Sequence, residues 1–257
     1  MAFSPELQRD FIKLDLGPKL AASGYGPDKL KIMIMDDQRM LLPEWANIVL
    51  SDADASQYVS GIGFHWYTNA LAPPELLDLT HQAHPDKFIL STEACEGSSP
   101  LEPQKVVLGS WQRAENYAKD IIEDLLHWTN GWVDWNLAVD TNGGPNWASN
   151  FVDSPIIVNA SANEFYKQPM FYALGQFSKF LAPGSKRIRL DLTTVGGDHL
   201  NCFRNVIAVG FVAPDDATVI VILNSSESPI TIQVEDPILS SKYETTIDAH
   251  SIVTLRN

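Results

Sequence analysis

Phe88-Ile89-Leu90-Ser91-Thr92-Glu93 decides the fold: a mostly apolar run of strand length, closed by a carboxylate. Three other runs share that form. Leu30-Lys31-Ile32-Met33-Ile34-Met35 ends at Asp36-Asp37, Val59-Ser60-Gly61-Ile62-Gly63-Phe64 ends at His65-Trp66-Tyr67, and Gly131-Trp132-Val133-Asp134 runs into Trp135-Asn136. Helical stretches alternate with them. The clearest places Trp111, Ala114, Ala118, Ile121, Ile122 and Leu125 on one face, at spacings of three and four. Gln112, Glu115, Lys119, Glu123 and Asp124 fall mostly on the other face. Ser110 reads as the cap of this helix and Asn130-Gly131 as its stop. Strands alternating with helices predict parallel βαβ units. When such units close into a barrel, the active site is assembled at the C-terminal strand ends. Those ends are where the four runs place their polar and aromatic residues.

A last helix is expected over roughly 168–180, ending before Pro183-Gly184. Beyond Gly184 the period changes. Val206 to Val212, Thr218 to Leu223, Ile230 to Val234 and Ile252 to Leu255 read as strands. Ile230, Ile232 and Val234 alternate with Thr231, Gln233 and Glu235, the period of a sheet with one wet face. The expected class is α/β plus all-β: a barrel-type part over 1–183, then a small antiparallel β domain over 184–257.

The 257 residues suffice for a real core. The net charge of −14 argues against binding nucleic acid, whose phosphate backbone needs dense cationic charge. No apolar run approaches the ~20 residues of a membrane-spanning helix, so no transmembrane segment is expected. Cys95 and Cys202 cannot build a disulfide framework, and two thiols alone do not make a zinc site. The first residues lack a basic stretch followed by an apolar one, so no signal peptide is expected. Ser4-Pro5-Glu6 reads instead as a helix start. This start inside regular structure, with two glycosylation sequons at Asn159-Ala160-Ser161 and Asn224-Ser225-Ser226, leads us to expect an upstream piece.

A strand-end glutamate beside aromatic and amide groups suits sugar chemistry. Indole and phenol rings stack on the apolar face of a pyranose, His and Asn hydrogen-bond its hydroxyls, and a carboxylate attacks the anomeric carbon. A retaining enzyme adds a second carboxyl ~5–5.5 Å away to protonate the leaving oxygen. From the residues alone, other readings stay open: Glu93 as a surface acid, His65 as a buried hydrogen-bonded histidine, Trp135 as core, Asn150 as an organiser of the Gly143-Gly144 loop. Asp36 and Asp37 are expected to brace Arg39 or a neighbouring loop. A metal-dependent barrel hydrolase would need paired histidines near strand ends. Of His65, His81, His84, His127, His199 and His250, only His65 sits at one, so no metal is expected.

Longer segments carry a family resemblance. They are Phe3-Ser4-Pro5-Glu6 with Gln8-Arg9-Asp10-Phe11, Asp36-Asp37-Gln38-Arg39, His65-Trp66-Tyr67, Ser91-Thr92-Glu93-Ala94-Cys95, Asp134-Trp135-Asn136-Leu137, Gly143-Gly144-Pro145-Asn146-Trp147, the stretch from Asn150 to Val158, and Phe165-Tyr166-Lys167-Gln168-Pro169-Met170-Phe171-Tyr172. On these the chain resembles the glucosylceramidase family, the lysosomal acid β-glucosidases, less closely after about residue 185. The resemblance implies an eight-stranded TIM (β/α) barrel with an attached β-sandwich. This chain would hold the second half of the barrel, strands five to eight, followed by part of the sandwich. Glu93, in a Ser/Thr-Glu-Ala-Cys pattern, matches the catalytic nucleophile. His65, Tyr67, Trp135 and Asn150 match residues lining a glucose pocket, with Gln38 and Cys95 expected at its rim.

The implied reaction is retaining hydrolysis of glucosylceramide to glucose and ceramide, a step of sphingolipid catabolism in the lysosome, with no cofactor. The implied partners are a saposin-type activator and a lysosomal membrane receptor, the latter through the region around Glu164 to Leu174. One departure matters. The family's acid/base glutamate stands in an Asn-Glu-Pro string, which this sequence lacks; Asn163-Glu164-Phe165 is the nearest and follows the last barrel strand. The expectation is a C-terminal portion that carries the nucleophile without the acid/base and is inactive alone. The alternative is a truncated, non-catalytic product that binds activator, receptor or lipid.

Overall fold

Ser4 caps the first helix, its Oγ accepting from the Leu7 N–H at 3.3 Å, with Pro5 in the first turn. That helix, α1, runs Pro5–Phe11, continues through a π-turn at Ile12–Leu16, and leads into α2, Gly17–Ala22. The computed structural model describes residues 3–191, 205–236 and 241–257. Cys202 and His199 lie outside the described residues. The chain forms two units: Met1–Ser98 with Glu123–Trp135, and Ser99–Ile122 with Asn136–Asn257.

In the first unit, β1 (Ile32–Gln38) is followed by α3 (Glu44–Leu50) and α4 (Ala53–Ser56), and β2 (Val59–His65) by α5 (Glu75–Ala83). Then come β3 (Phe88–Ala94), the last turn of α6 (Trp111–Leu126), whose residues up to Ile122 belong to the second unit, and β4 (Thr129–Asp134). The strands form one sheet in the order β1-β2-β3-β4, and each neighbouring pair is parallel. This is the βα repeat expected of part of a barrel. Ile34, Ile62, Phe64 and Ile89 from the strands cluster with Ala46, Val49, Leu50 and Leu77 from the helices. Burying each large aliphatic is worth roughly 1.5–3 kcal/mol, which holds the helices onto the sheet. Gly61 permits close approach of neighbouring strands: a Cβ there would stand 2.2 Å from the Phe88 ring.

Helix α6 departs from the amphipathic reading. Glu115 and Asp124, expected on its wet face, are buried. Asp124 pairs with Arg39 at 3.2 Å, both side chains 1 % exposed. Arg39 also donates to the Ala72 carbonyl from Nε (3.0 Å) and Nη2 (2.7 Å). Asp36 and Asp37 therefore do not brace Arg39, as expected from sequence; Asp124 does. The helix also stops earlier than Asn130-Gly131, which lie inside β4. The His127 N–H closes back on the Glu123 and Asp124 carbonyls, and Trp128 turns the chain at φ 69°. Asn130 Oδ1 instead accepts from the Ile89 N–H at 3.3 Å.

In the second unit, β5 (Ala138–Asp140), β6 (Ile156–Asn159) and β7 (Glu164–Lys167) make a small sheet that the sequence reading did not contain. Helix α7 spans Pro169–Ser178. Buried Asp153 ties this region together. It pairs with Arg113, accepts from the Val107 N–H at 3.2 Å, and accepts from Gln168 Nε2 at 3.2 Å. Beyond it, β8 (Lys186–Ile188), β9 (Val206–Val212), β10 (Thr218–Asn224), β11 (Ile230–Asp236), β12 (Ser241–Ile247) and β13 (Ser251–Arg256) are antiparallel. They form one sheet ordered β13-β10-β9-β8 and a β11-β12 pair. Val206, Ala208, Ile220, Ile222 and Ile247 are buried together, with Ile230, Ile232, Val234, Val253 and Leu255 against them. The alternation of apolar and polar residues seen in β11 thus faces a shared core. Among the described residues no helix is long and apolar enough to cross a membrane.

Candidate active site

The four parallel strands finish in step. Gln38 stands opposite His65, His65 opposite Glu93, and Ala94 opposite Asp134. Register shifts fall between Met35 and Asp37, between Phe64 and His65, and between Ser91 and Ala94. Such irregularities bend a strand and re-aim its side chains. At β1 the cause is visible: Met35 and Asp36 adopt φ of 70° and 61°, uncommon for residues other than glycine.

These bends gather a polar cluster. His65 Nε2 lies 3.1 Å from Asp36 Oδ1 and 3.7 Å from Glu93 Oε2, so the imidazole stands between two carboxylates. Thr92 Oγ1 donates to Asp36 Oδ1 at 2.9 Å. Gly63 leaves room for that threonine, since a Cβ there would meet Thr92 Cγ2 at 3.0 Å. The Tyr67 ring meets His65 edge-on at 6.2 Å, and its hydroxyl lies 3.4 Å from Cys95 Sγ. Trp66 packs edge-on against Trp132 at 6.1 Å, and its backbone N–H donates to the Glu93 carbonyl at 3.2 Å.

Burial, reinforced by Cys95 and Glu93, pushes the Tyr67 phenol well above its ordinary value, so it remains a hydrogen-bond donor. The Cys95 thiol is pushed up to about 12, chiefly by burial, with Asp134, Glu93 and Glu96 adding to the effect against an opposing bond from Tyr67. It stays a neutral thiol. Gln38 Oε1 is buried with no protein partner.

The structure thus brings together His65, Tyr67, Glu93 and Cys95, with Gln38 at the adjoining strand end. Trp135 follows β4 directly, donates its N–H to the Ala94 carbonyl at 2.8 Å and keeps an exposed ring. Asn150 belongs to the second unit, on an exposed loop. There its carbonyl accepts from Asn146 Nδ2 at 3.0 Å and its N–H donates to Asn146 Oδ1 at 3.3 Å. Asp36 and Thr92 were missed as site residues, although both stand beside residues the sequence reading chose.

The other described histidines have separate surroundings. His81 stacks on Trp128 at 3.9 Å, His84 bonds Asn47 at 2.9 Å, His127 bonds Asp78 at 2.8 Å, and His250 contacts Glu115 and Glu227. Among the described residues no group of three or more His, Cys, Asp or Glu could hold a metal ion.

Comparison with known proteins places this geometry in a family. The Glycosyl hydrolase family 30 TIM-barrel domain matches residues 1–181, and the Glycosyl hydrolase family 30 beta sandwich domain matches residues 184–255. Lysosomal acid glucosylceramidase of Mus musculus is 46% identical over 255 residues, covering 99% of this chain and 47% of that protein. Putative glucosylceramidase 3 of Caenorhabditis elegans is 54% identical over 188 residues, covering 73% of this chain and 35% of that protein. Among solved structures, SrfJ from Salmonella typhimurium superposes with a TM-score of 0.83 at 27% identity, over 98% of this chain and 52% of that one. The chain spans about half the length of the curated glucosylceramidases it matches over nearly all its residues. Its parallel βα sheet, its antiparallel sheets and both domain matches lead to one conclusion: this chain belongs to glycosyl hydrolase family 30.

Proposed function

We propose that this chain is the nucleophile-bearing portion of a retaining β-glucosidase acting on glucosylceramide, with the barrel part over 1–183 and the sandwich part over 184–257. The observation that carries the reading is the Glu93 carboxylate at a strand end, 3.7 Å from His65 Nε2. In this reading Glu93 attacks the anomeric carbon and forms a glucosyl ester. His65, held by Asp36, orients that carboxylate. The protonated Tyr67 hydroxyl meets a sugar oxygen, and Gln38 stands at the pocket rim. Trp135 lines the glucose pocket, the resemblance alone gives Asn150 a pocket role, and Cys95 at the rim adds no charge. Departure of the ceramide oxygen needs a general acid, worth ~10²–10⁴ in rate. The family's Asn-Glu-Pro string is not in this sequence, so the isolated chain is inactive.

The lysosomal setting, the saposin-type activator and the membrane receptor rest on the resemblance. Exposed Phe165 and Tyr172 in the Glu164 to Leu174 region suit a receptor contact. The test is a graft in which this chain replaces the matching segment of the mouse relative. An aryl β-glucoside should be turned over, and Glu93→Gln should lower kcat/KM by ~10⁴-fold or more. Activity within tenfold of the unmutated graft would sink the assignment.

A further inference from the structure

We propose that Asn159 is an N-glycosylation site, whereas the second sequon, at Asn224, is held in a buried amide network. Both match the Asn-x-Ser pattern, and their surroundings differ. Asn159 ends β6 and opens the exposed connection Ala160 to Asn163, which Asn163 turns at φ 55° into β7. Ser161 Oγ donates to Asn159 Oδ1 at 2.8 Å, so the hydroxyl and amide of the sequon meet at the hairpin tip. Asn159 Nδ2 donates to the Tyr166 hydroxyl at 3.0 Å, and Tyr166 donates onward to Glu164 at 2.9 Å. An amide nitrogen carries two hydrogens. A glycan replaces one and leaves the other for Tyr166.

Asn224 is 0 % exposed. Its Nδ2 faces three carbonyls: Ser228 at 3.0 Å, Ile247 at 3.3 Å and Asp248 at 2.9 Å. Its Oδ1 accepts from the Ser226 N–H at 3.1 Å and from Ser226 Oγ at 2.6 Å. Both amide hydrogens are committed to backbone carbonyls, and the side chain itself is fully buried. This sequon is a strand-end clamp.

At Asn159 the donor is an oligosaccharide on a lipid pyrophosphate. Nδ2 bonds to the anomeric carbon, the bond from that carbon to the pyrophosphate oxygen breaks with its electron pair staying on the leaving group, and Nδ2 loses one proton to the transferase's base.

The experiment translates the 257-residue chain behind a cleavable secretory leader with microsomal membranes, which supply the lipid-linked donor and transferase. The gel should show a mobility step due to Asn159, removed by peptide N-glycosidase. That step should vanish in Asn159→Gln and Ser161→Ala and persist in Asn224→Gln. Mobility reads glycan number whether or not a variant folds. Absence of any step, or a pattern that Asn159→Gln leaves unchanged, would overturn the proposal.

Discussion

Arg39→Met tests how the end of β1 is held. Arg39 follows β1 directly and sits with Asp124 in a site where both side chains are 1 % exposed. Methionine keeps the aliphatic stem and removes the guanidinium. The Ala72 carbonyl loses donors at 3.0 and 2.7 Å, and Asp124 loses its cation at 3.2 Å. Breaking one side of a buried ion pair costs about 3–5 kcal/mol, because the partner's charge stays in a poorly solvated site. A domain is stable by only about 5–15 kcal/mol, so the change is large. Urea unfolding followed by tryptophan fluorescence reads it, since Trp66 and Trp132 pack in this unit. Adding Asp124→Asn completes a double-mutant cycle, with coupling expected toward the upper end of about 0.5–3 kcal/mol. A loss below about 1 kcal/mol for Arg39→Met, or strictly additive effects, would refute the reasoning.

Three further outcomes follow from the same geometry. His250 is raised above its ordinary value by Glu115 and then Glu227, which face it. Its stabilising contribution is fully present below the unfolded value of about 6.5 and is lost as pH rises through the folded one; His250→Gln should flatten the melting temperature against pH in the window from the unfolded to the raised folded value, and parallel wild-type and variant profiles there would count against it. Cys95, pushed up to about 12, should be alkylated at mild alkaline pH on the order of 10³-fold more slowly in the folded chain than in urea, with peptide mapping to separate it from Cys202; equal rates would contradict its burial. Gly63→Ala crowds Thr92 and should cost about 1–3 kcal/mol by overpacking, while in the graft it lowers kcat/KM by displacing Thr92 from Asp36; unchanged activity would show that the Thr92 bond does not support the site.

The strands bearing the site were legible because each is an apolar run cut off by polar or aromatic residues, a boundary visible without any partner. The bend at Met35 and Asp36 was not, since neither residue type marks a left-handed backbone. It is this bend that puts Asp36 beside His65 instead of Arg39. Helical periodicity assigned Glu115 and Asp124 to water because it sees residue class alone. Their partners, His250 and Arg39, lie 135 and 85 residues away in the chain. Strand β12 was missed because Ser-Lys-Tyr-Glu-Thr-Thr-Ile carries almost no apolar period, and among its described side chains only Ile247 is in the core. The small β5-β6-β7 sheet escaped for another reason: strands of three or four residues are too short to establish a period.

Covalent trapping tests the role of Glu93 most directly. The grafted enzyme is incubated with a fluorinated β-glucoside bearing a leaving group that departs without acid help, then digested and mapped by mass. The glucosyl ester should be found on Glu93 and be absent from Glu93→Gln. A sugar bound to any other carboxylate, or the same ester yield after Glu93→Gln, would contradict the account.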